Sequence, residues 1–251
     1  MNAASLSWSR LERILSSKAA GTLHAVGIGE GQRVEFFDDA GSCEQEDRRQ
    51  RRAAQAAQAV PFAELHACSA YNFLRGASEP EDLVEQAAEL EISALACLDR
   101  DGFYGAARFA AAAAERGVAT VFGAELSTSG AQAEPLAVLC RGEEGYRRLS
   151  RAMTDAHMAD RDKNVVVYPP MEELARYAFD EQGGCHWIVM VGWSMASKIK
   201  EIVRAFGKEN CAVELQQTMQ PIDADRNEQL HALAKRWGLR EFVSSVPTCA
   251  V

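Results

Sequence analysis

The sequence predicts an α/β fold in which about seven strands build a mainly parallel, barrel-like sheet. Three observations predict it. From residue 61 onward, short apolar runs of strand length alternate with segments of helical periodicity. The connections are short, which suits a closed arrangement, with an open doubly wound sheet as the alternative. No GxGxxG or GxxxxGK[ST] follows the first strand, so the usual nucleotide-binding turns of an open sheet are missing.

The elements follow in order. Phe62–His66 reads as a strand. Ser78-Glu79-Pro80-Glu81 opens a helix, with Ser78 as cap, Pro80 in the first turn and Glu81 completing a capping box; Leu83, Ala87 and Leu90 share its face. Ala94–Leu98 is a strand, and Tyr104–Arg116 is an Ala-rich helix stopped by Gly117. Val118–Leu126 and Leu136–Cys140 are strands. Gly145–Met158 is a helix with Tyr146, Leu149 and Met153 inward, and Pro170–Phe179 is another. The strand Trp187–Val191 precedes a helix over Ser194–Phe206 that Gly207 stops. Cys211–Leu215 is a strand. A helix starting near Asp225 ends at Trp237-Gly238, and Phe242–Val246 is the last strand.

Residues 1–60 have a different texture and are read as a largely disordered tail, with residues 61–251 as the folded domain. Within the tail, Ser9-Arg10-Leu11-Glu12 is a capping-box pattern, and Trp8, Leu11 and Leu15 fall at helical spacing, giving a short amphipathic helix. The stretch EQEDRRQRRAAQAAQA is nearly all polar or Ala and reads as a solvated linker.

Composition bounds the function. The chain has 251 residues, enough for one large domain and an appendage but too few for a template-dependent polymerase. Its 27 basic and 36 acidic side chains give a net charge of −9, so DNA is expected only through a larger assembly. No apolar run approaches the roughly 20 residues that span a bilayer, and the first 15 residues carry Arg10, Glu12 and Arg13 where a signal peptide needs an apolar core. Seven widely spaced cysteines without a CxxC argue against a disulfide framework or zinc ribbon. The expected setting is cytoplasmic, with reduced thiols and no membrane partner.

In an α/β barrel, chemistry collects at the C-terminal ends of strands. Those ends carry His66 and Cys68, then Asp99, Arg100 and Asp101, then Glu125. Imidazole, thiol and carboxylates form a possible divalent-metal set. Each also has a structural reading: a hydrogen-bonded His66, Asp99 and Asp101 capping the next helix, and Glu125 paired with an arginine. The later strand ends offer only neutral groups: Pro135, Trp193, Gln216-Gln217-Thr218, Ser244, Ser245 and Thr248. No GxSxG elbow is present.

The segment from AELHACSAYNFLRGAS through LACLDRDGFYGAA to VATVFGAELS strongly resembles the PHP (polymerase and histidinol phosphatase) domain, and the likeness extends through GGCHWIVMVGW and AVELQQTMQPIDADRNEQLHALAKRWGL. It is most similar to the PHP domain of bacterial C-family DNA polymerases, in particular the error-prone paralogue of the DNA polymerase III alpha subunit. The resemblance implies a distorted, TIM-like seven-stranded barrel. It implies roles in DNA replication, DNA repair, the response to DNA damage and translesion synthesis. Active members bind two or three metal ions and hydrolyse phosphoesters.

Here the pattern is degenerate. Only His66 and Glu125 match clearly. Cys68, Arg75, Arg100, Pro135, Trp193 and Thr248 stand where the family places ligands, and Val246 stands where it has a polar residue. At about 4 Å a like-charge contact costs roughly 4 kcal/mol at an effective dielectric near 20, so Arg75 and Arg100 would repel metal ions and pair with Asp99 or Glu125. The resemblance thus implies a vestigial metal set of His66, Cys68, Asp99 and Glu125 with no ion expected; an ion, if bound, would be Mn, Zn or Mg. The expected function is a truncated, structural PHP portion of an error-prone polymerase, without phosphoesterase or polymerase activity of its own. Its expected partners are polymerase domains or other replication and mutasome proteins. The alternatives are a metal-dependent phosphoesterase or 3′–5′ exonuclease, and a stand-alone module for mutasome or clamp partners.

Overall fold

The strands lie in one sheet in chain order: β1 (Ala63–Ala67), β2 (Ala94–Arg100), β3 (Ala119–Leu126), β4 (Leu136–Cys140), β5 (Trp187–Val191), β6 (Cys211–Gln216) and β7 (Arg240–Ser244). This computed structural model describes residues 62–128, 135–162 and 165–250. All lie in one compact unit, Val60–Val251. The helix expected around Trp8–Leu15 and the polar linker fall outside the described residues.

β1, β2 and β3 pair in parallel, as do β5, β6 and β7. β4 runs antiparallel to both neighbours, the exception to the expected parallel order. Its cause is local: β3 reaches β4 through residues 127–135 alone, too few for a crossover helix. The sheet nearly closes where β1 meets the segment after β7. Cys68 N–H donates to Pro247 O at 3.2 Å, and the Ser244 and Ser245 hydroxyls each donate to Glu64 at 2.7 Å.

Alternation along each strand sorts side chains between two layers. On β2, Ala96 and Leu98 pack with Ala137, Leu139 and Met190 inside the barrel. Leu95 and Cys97 pack against Leu83, Val84 and Phe109 of the outer helices. Those helices are α1 (Pro80–Glu89), α2 (Ala106–Arg116), α3 (Gly142–Met158), α4 (Met171–Ala178), α5 (Ile199–Phe206) and α6 (Asp223–Trp237). The larger core lies under α3 to α6, where Leu149, Leu174, Trp187, Ile202 and Phe206 are fully buried. Each contributes on the order of 1.5–3 kcal/mol by leaving water.

Helix ends follow local chemistry. Gly117 (φ 69°) and Gly238 (φ 64°) take the left-handed conformation that ends α2 and α6. The segment expected to be one helix from Ser194 begins as a 3-10 turn, Trp193–Lys198, before α5. Ser78 does not cap α1; its hydroxyl accepts the Ala250 N–H at 2.7 Å, tying the last residues to the start of that helix. Six cysteines among the described residues are free thiols. No helix among the described residues is long and apolar enough to cross a membrane.

β3 and β4 approach closely because Gly123 has no side chain. A Cβ there would stand 2.4 Å from Val138 O. Gly123→Ala should therefore destabilise the domain by about 1–3 kcal/mol through overpacking. Urea unfolding measures it; unchanged stability would refute the close approach.

Candidate functional site

The C-terminal end of the barrel holds a buried ionic chain built from three strands and one loop. His66 of β1 lies between two carboxylates: its Nδ1 is 2.7 Å from Glu214 Oε1 of β6, and its Nε2 is 3.1 Å from Glu125 Oε1 of β3. His66, Glu125 and Glu214 are all buried, at 5%, 3% and 2% exposure. A neutral imidazole donates from one nitrogen only, so it would present a lone pair to one carboxylate; the imidazolium donates to both. Burial opposes that charge, but Glu214 and Glu125 outweigh it and raise the His66 pKa from 6.5 to about 10.

The chain continues outward. Glu125 Oε2 accepts from Arg75 Nη1 at 2.6 Å and from Asn72 Nδ2 at 3.3 Å. Burial alone would raise the Glu125 pKa. The bond and charge of His66, then the charges of Arg75 and Arg100, hold it below the ordinary carboxylate range. Arg75 and Asn72 come from the loop after β1, which folds back on itself as Arg75 N–H and Gly76 N–H donate to Asn72 O. At the other end, Glu214 Oε2 accepts from Gln216 Nε2 at 3.0 Å. Glu64 accepts from His66 N–H and from the Ser244 and Ser245 hydroxyls, so the seam between β1 and β7 is itself built on a buried carboxylate.

The four residues singled out by sequence meet in one neighbourhood but take different parts. His66 and Glu125 touch. Arg100, not Asp99, shares the inward register with Glu125, because Arg100 and Glu125 are directly paired in the β2–β3 ladder. Asp99 continues the helix-facing register of Leu95 and Cys97. It accepts from Ser69 N–H and Oγ–H at 2.9 Å and from Gly105 N–H just before α2, and burial raises its pKa. Cys68 is buried, and burial followed by the Glu125 charge pushes its thiol up to about 11, which keeps it protonated at neutral pH. Asp101, at φ 52°, accepts from Ser127 N–H and Oγ–H and from Tyr168 OH, and anchors the outer layer. Glu64 and Glu214 are the residues missed. Each is a carboxylate set inside a short apolar strand, AELHA and CAVELQ, and an unexplained charge in such a run is the signal that finds it.

Divalent ions do not fit this donor set. Both His66 nitrogens face carboxylates, Glu125 is held by Arg75, Asp99 is held by Ser69, and Cys68 is a neutral thiol. Among the described residues no group of three or more His, Cys, Asp or Glu is arranged to hold a metal.

Comparison with known proteins places this geometry. Residues 64–218 match the PHP domain family. The chain belongs to the PHP family. This PHP domain is 57% identical over 249 residues to an error-prone DNA polymerase of Corynebacterium jeikeium, covering 98% of the chain and 20% of that polymerase. It is 45% identical to the error-prone DNA polymerase of Corynebacterium efficiens, covering 98% and 22%, and 40% identical to that of Mycobacterium tuberculosis, covering 93% and 22%. The chain thus spans about a fifth of the curated relatives it matches. Among solved structures, an amidohydrolase from Chromobacterium violaceum superposes with a TM-score of 0.53 at 16% identity, covering 74% of this chain and 87% of that one. A candidate metal-dependent phosphoesterase from Bifidobacterium adolescentis gives 0.51 at 14%, with the same coverage. These two share the fold; the near-closure of the seven strands where β1 meets the segment after β7 decides against an open sheet.

A charged His66 makes stability depend on pH in a defined direction. Its folded pKa lies above its unfolded one, so its contribution is complete below about 6.5 and is lost as pH rises toward about 10. Thermal unfolding should show stability falling across that window, by at most about 1.4 kcal/mol per pH unit, with His66→Gln flattening the decline. A wild-type profile that rises there would contradict the imidazolium.

Proposed function

We propose that this PHP domain is the structural and docking portion of an error-prone DNA polymerase, acting in DNA replication, repair and synthesis past damage, and that it hydrolyses no phosphoester itself. The observation that carries the reading is the chain Arg75–Glu125–His66–Glu214. In a PHP barrel that works by metal-activated water, ligands must be deprotonated and open to the ion. Here an arginine and an imidazolium supply the positive charge that the carboxylates require. The reading assigns the domain no resident metal. Its partners are the other domains of the polymerase or other replication and mutasome proteins, and its setting is the cytoplasm. The similarity to error-prone polymerases over nearly the whole chain, against a fifth of their length, supports a module that serves a larger machine.

A 3′–5′ exonuclease assay with Mn, Zn or Mg tests it, with Glu125→Ala alongside. Both proteins should match the protein-free blank. Metal-dependent hydrolysis by the wild type that Glu125→Ala abolishes would overturn the reading in favour of a working phosphoesterase.

A further inference from the structure

A cleft of about 870 Å³ lies between α3 and α4, and it is lined by four arginines: Arg147, Arg148 and Arg151 from α3 and Arg176 from α4. It sits away from the ionic chain. The start of α3 lies by the beginning of β5, where Trp187 Nε1 donates to Gly145 O, whereas the ionic chain occupies the other end of the barrel.

The arginines are held outward by their neighbours. Glu144 takes Arg147 through Nε and Nη2 at 2.9 and 2.7 Å, leaving Nη1 to the cleft. Asp155 takes Arg151 through Nε at 3.0 Å, leaving both terminal nitrogens. Arg148 is the anchor: it reaches across to Phe179 O at 2.7 Å, and only 22% of its side chain is exposed, against 71% and 72% for Arg147 and Arg151. Among the described residues, Glu173 is the one acid that lines the cleft itself. Counting it with Glu144 and Asp155, the site keeps a net positive charge on a chain of net −9.

We infer that this cleft binds the phosphodiester backbone of a nucleic-acid strand, without reading its sequence. Three features select that ligand. All the cations are arginines, whose planar forks suit phosphate oxygens. Arg147 and Arg151 are one helical turn apart, about 6 Å along the axis, so they address successive phosphates. The lining also offers the Ser150 and Thr154 hydroxyls; its apolar members, Pro169 and Tyr177, are fewer than the apolar centre of a protein interface, and the Tyr177 ring is a face on which a base can stack. The inference stands apart from the metal question, since none of these residues touches the ionic chain. It also refines the expectation that the acidic chain meets DNA only in a larger assembly: the domain has one local contact to add.

Fluorescence anisotropy of the full chain with a labelled single-stranded oligodeoxynucleotide tests it. Three phosphate contacts predict a slope of log K against log salt of roughly −2, or about a sixteenfold loss from 50 to 200 mM salt. The triple substitution Arg147→Ala, Arg151→Ala and Arg176→Ala, all exposed positions, should weaken binding at least tenfold, while Arg116→Ala leaves it unchanged. Absence of saturable wild-type binding at low salt, or equal binding by the triple variant, would overturn the inference. So would displacement of the oligonucleotide by poly-glutamate at equal charge, which would mark a surface for an acidic protein.

Discussion

A histidine held between two buried carboxylates is the constraint on which the rest of the domain turns. His66 draws β1, β3 and β6 to one point, because Glu125 and Glu214 are both buried and both hydrogen-bond to its ring. Truncating one partner of such a set strands the other, so the set fixes its own geometry. The barrel therefore carries at its C-terminal end a polar centre in place of the apolar filling supplied lower down by Ala96, Leu98, Leu139 and Met190.

From that centre the order spreads to the seam and the loops. Arg75 brings the loop after β1 over Glu125, and this loop displays Phe73 and Leu74 to solvent at 83% and 92% exposure, with Leu74 in the left-handed region at φ 64°. Glu64, two residues before His66, binds the Ser244 and Ser245 hydroxyls and so joins the two ends of the sheet. The segment after β7 then returns along the same loop, with Ala77 N–H donating to Thr248 O. In a PHP barrel that uses metals, ions at the strand ends would have to satisfy the carboxylates; here side chains of the domain do so.

Much of this was legible in the sequence. Seven strands, the glycine stops at Gly117, Gly207 and Gly238, and the barrel-like closure follow from alternation and turn chemistry, which are local signals. The pairing of Arg75 with Glu125 was also foreseeable, from a cation standing among expected ligands. The antiparallel β4 was not foreseen: the apolar run Leu136–Cys140 reads the same in either direction, and the signal lay instead in the link 127–135, too short for a parallel crossover. The roles of Glu64 and Glu214 stayed hidden for a related reason. A carboxylate in an apolar strand has meaning only once its partner, 148 residues away in the case of Glu214 and His66, is known. Asp99 looked like a ligand because strand ends collect chemistry. Its register, facing the helices with Leu95 and Cys97, assigns it to holding Ser69.

The central claim is that internal cations, not metal ions, balance the buried carboxylates. A double-mutant cycle on Arg75 and Glu125, using Arg75→Gln and Glu125→Gln and repeated with and without a chelator, tests it most directly. Because the Arg75 side chain is about one-third exposed, the coupling energy should be about 1–3 kcal/mol, below that of a fully buried pair, and the same in both conditions. A coupling near zero, or a wild-type protein that loses stability when the chelator is added, would contradict the account.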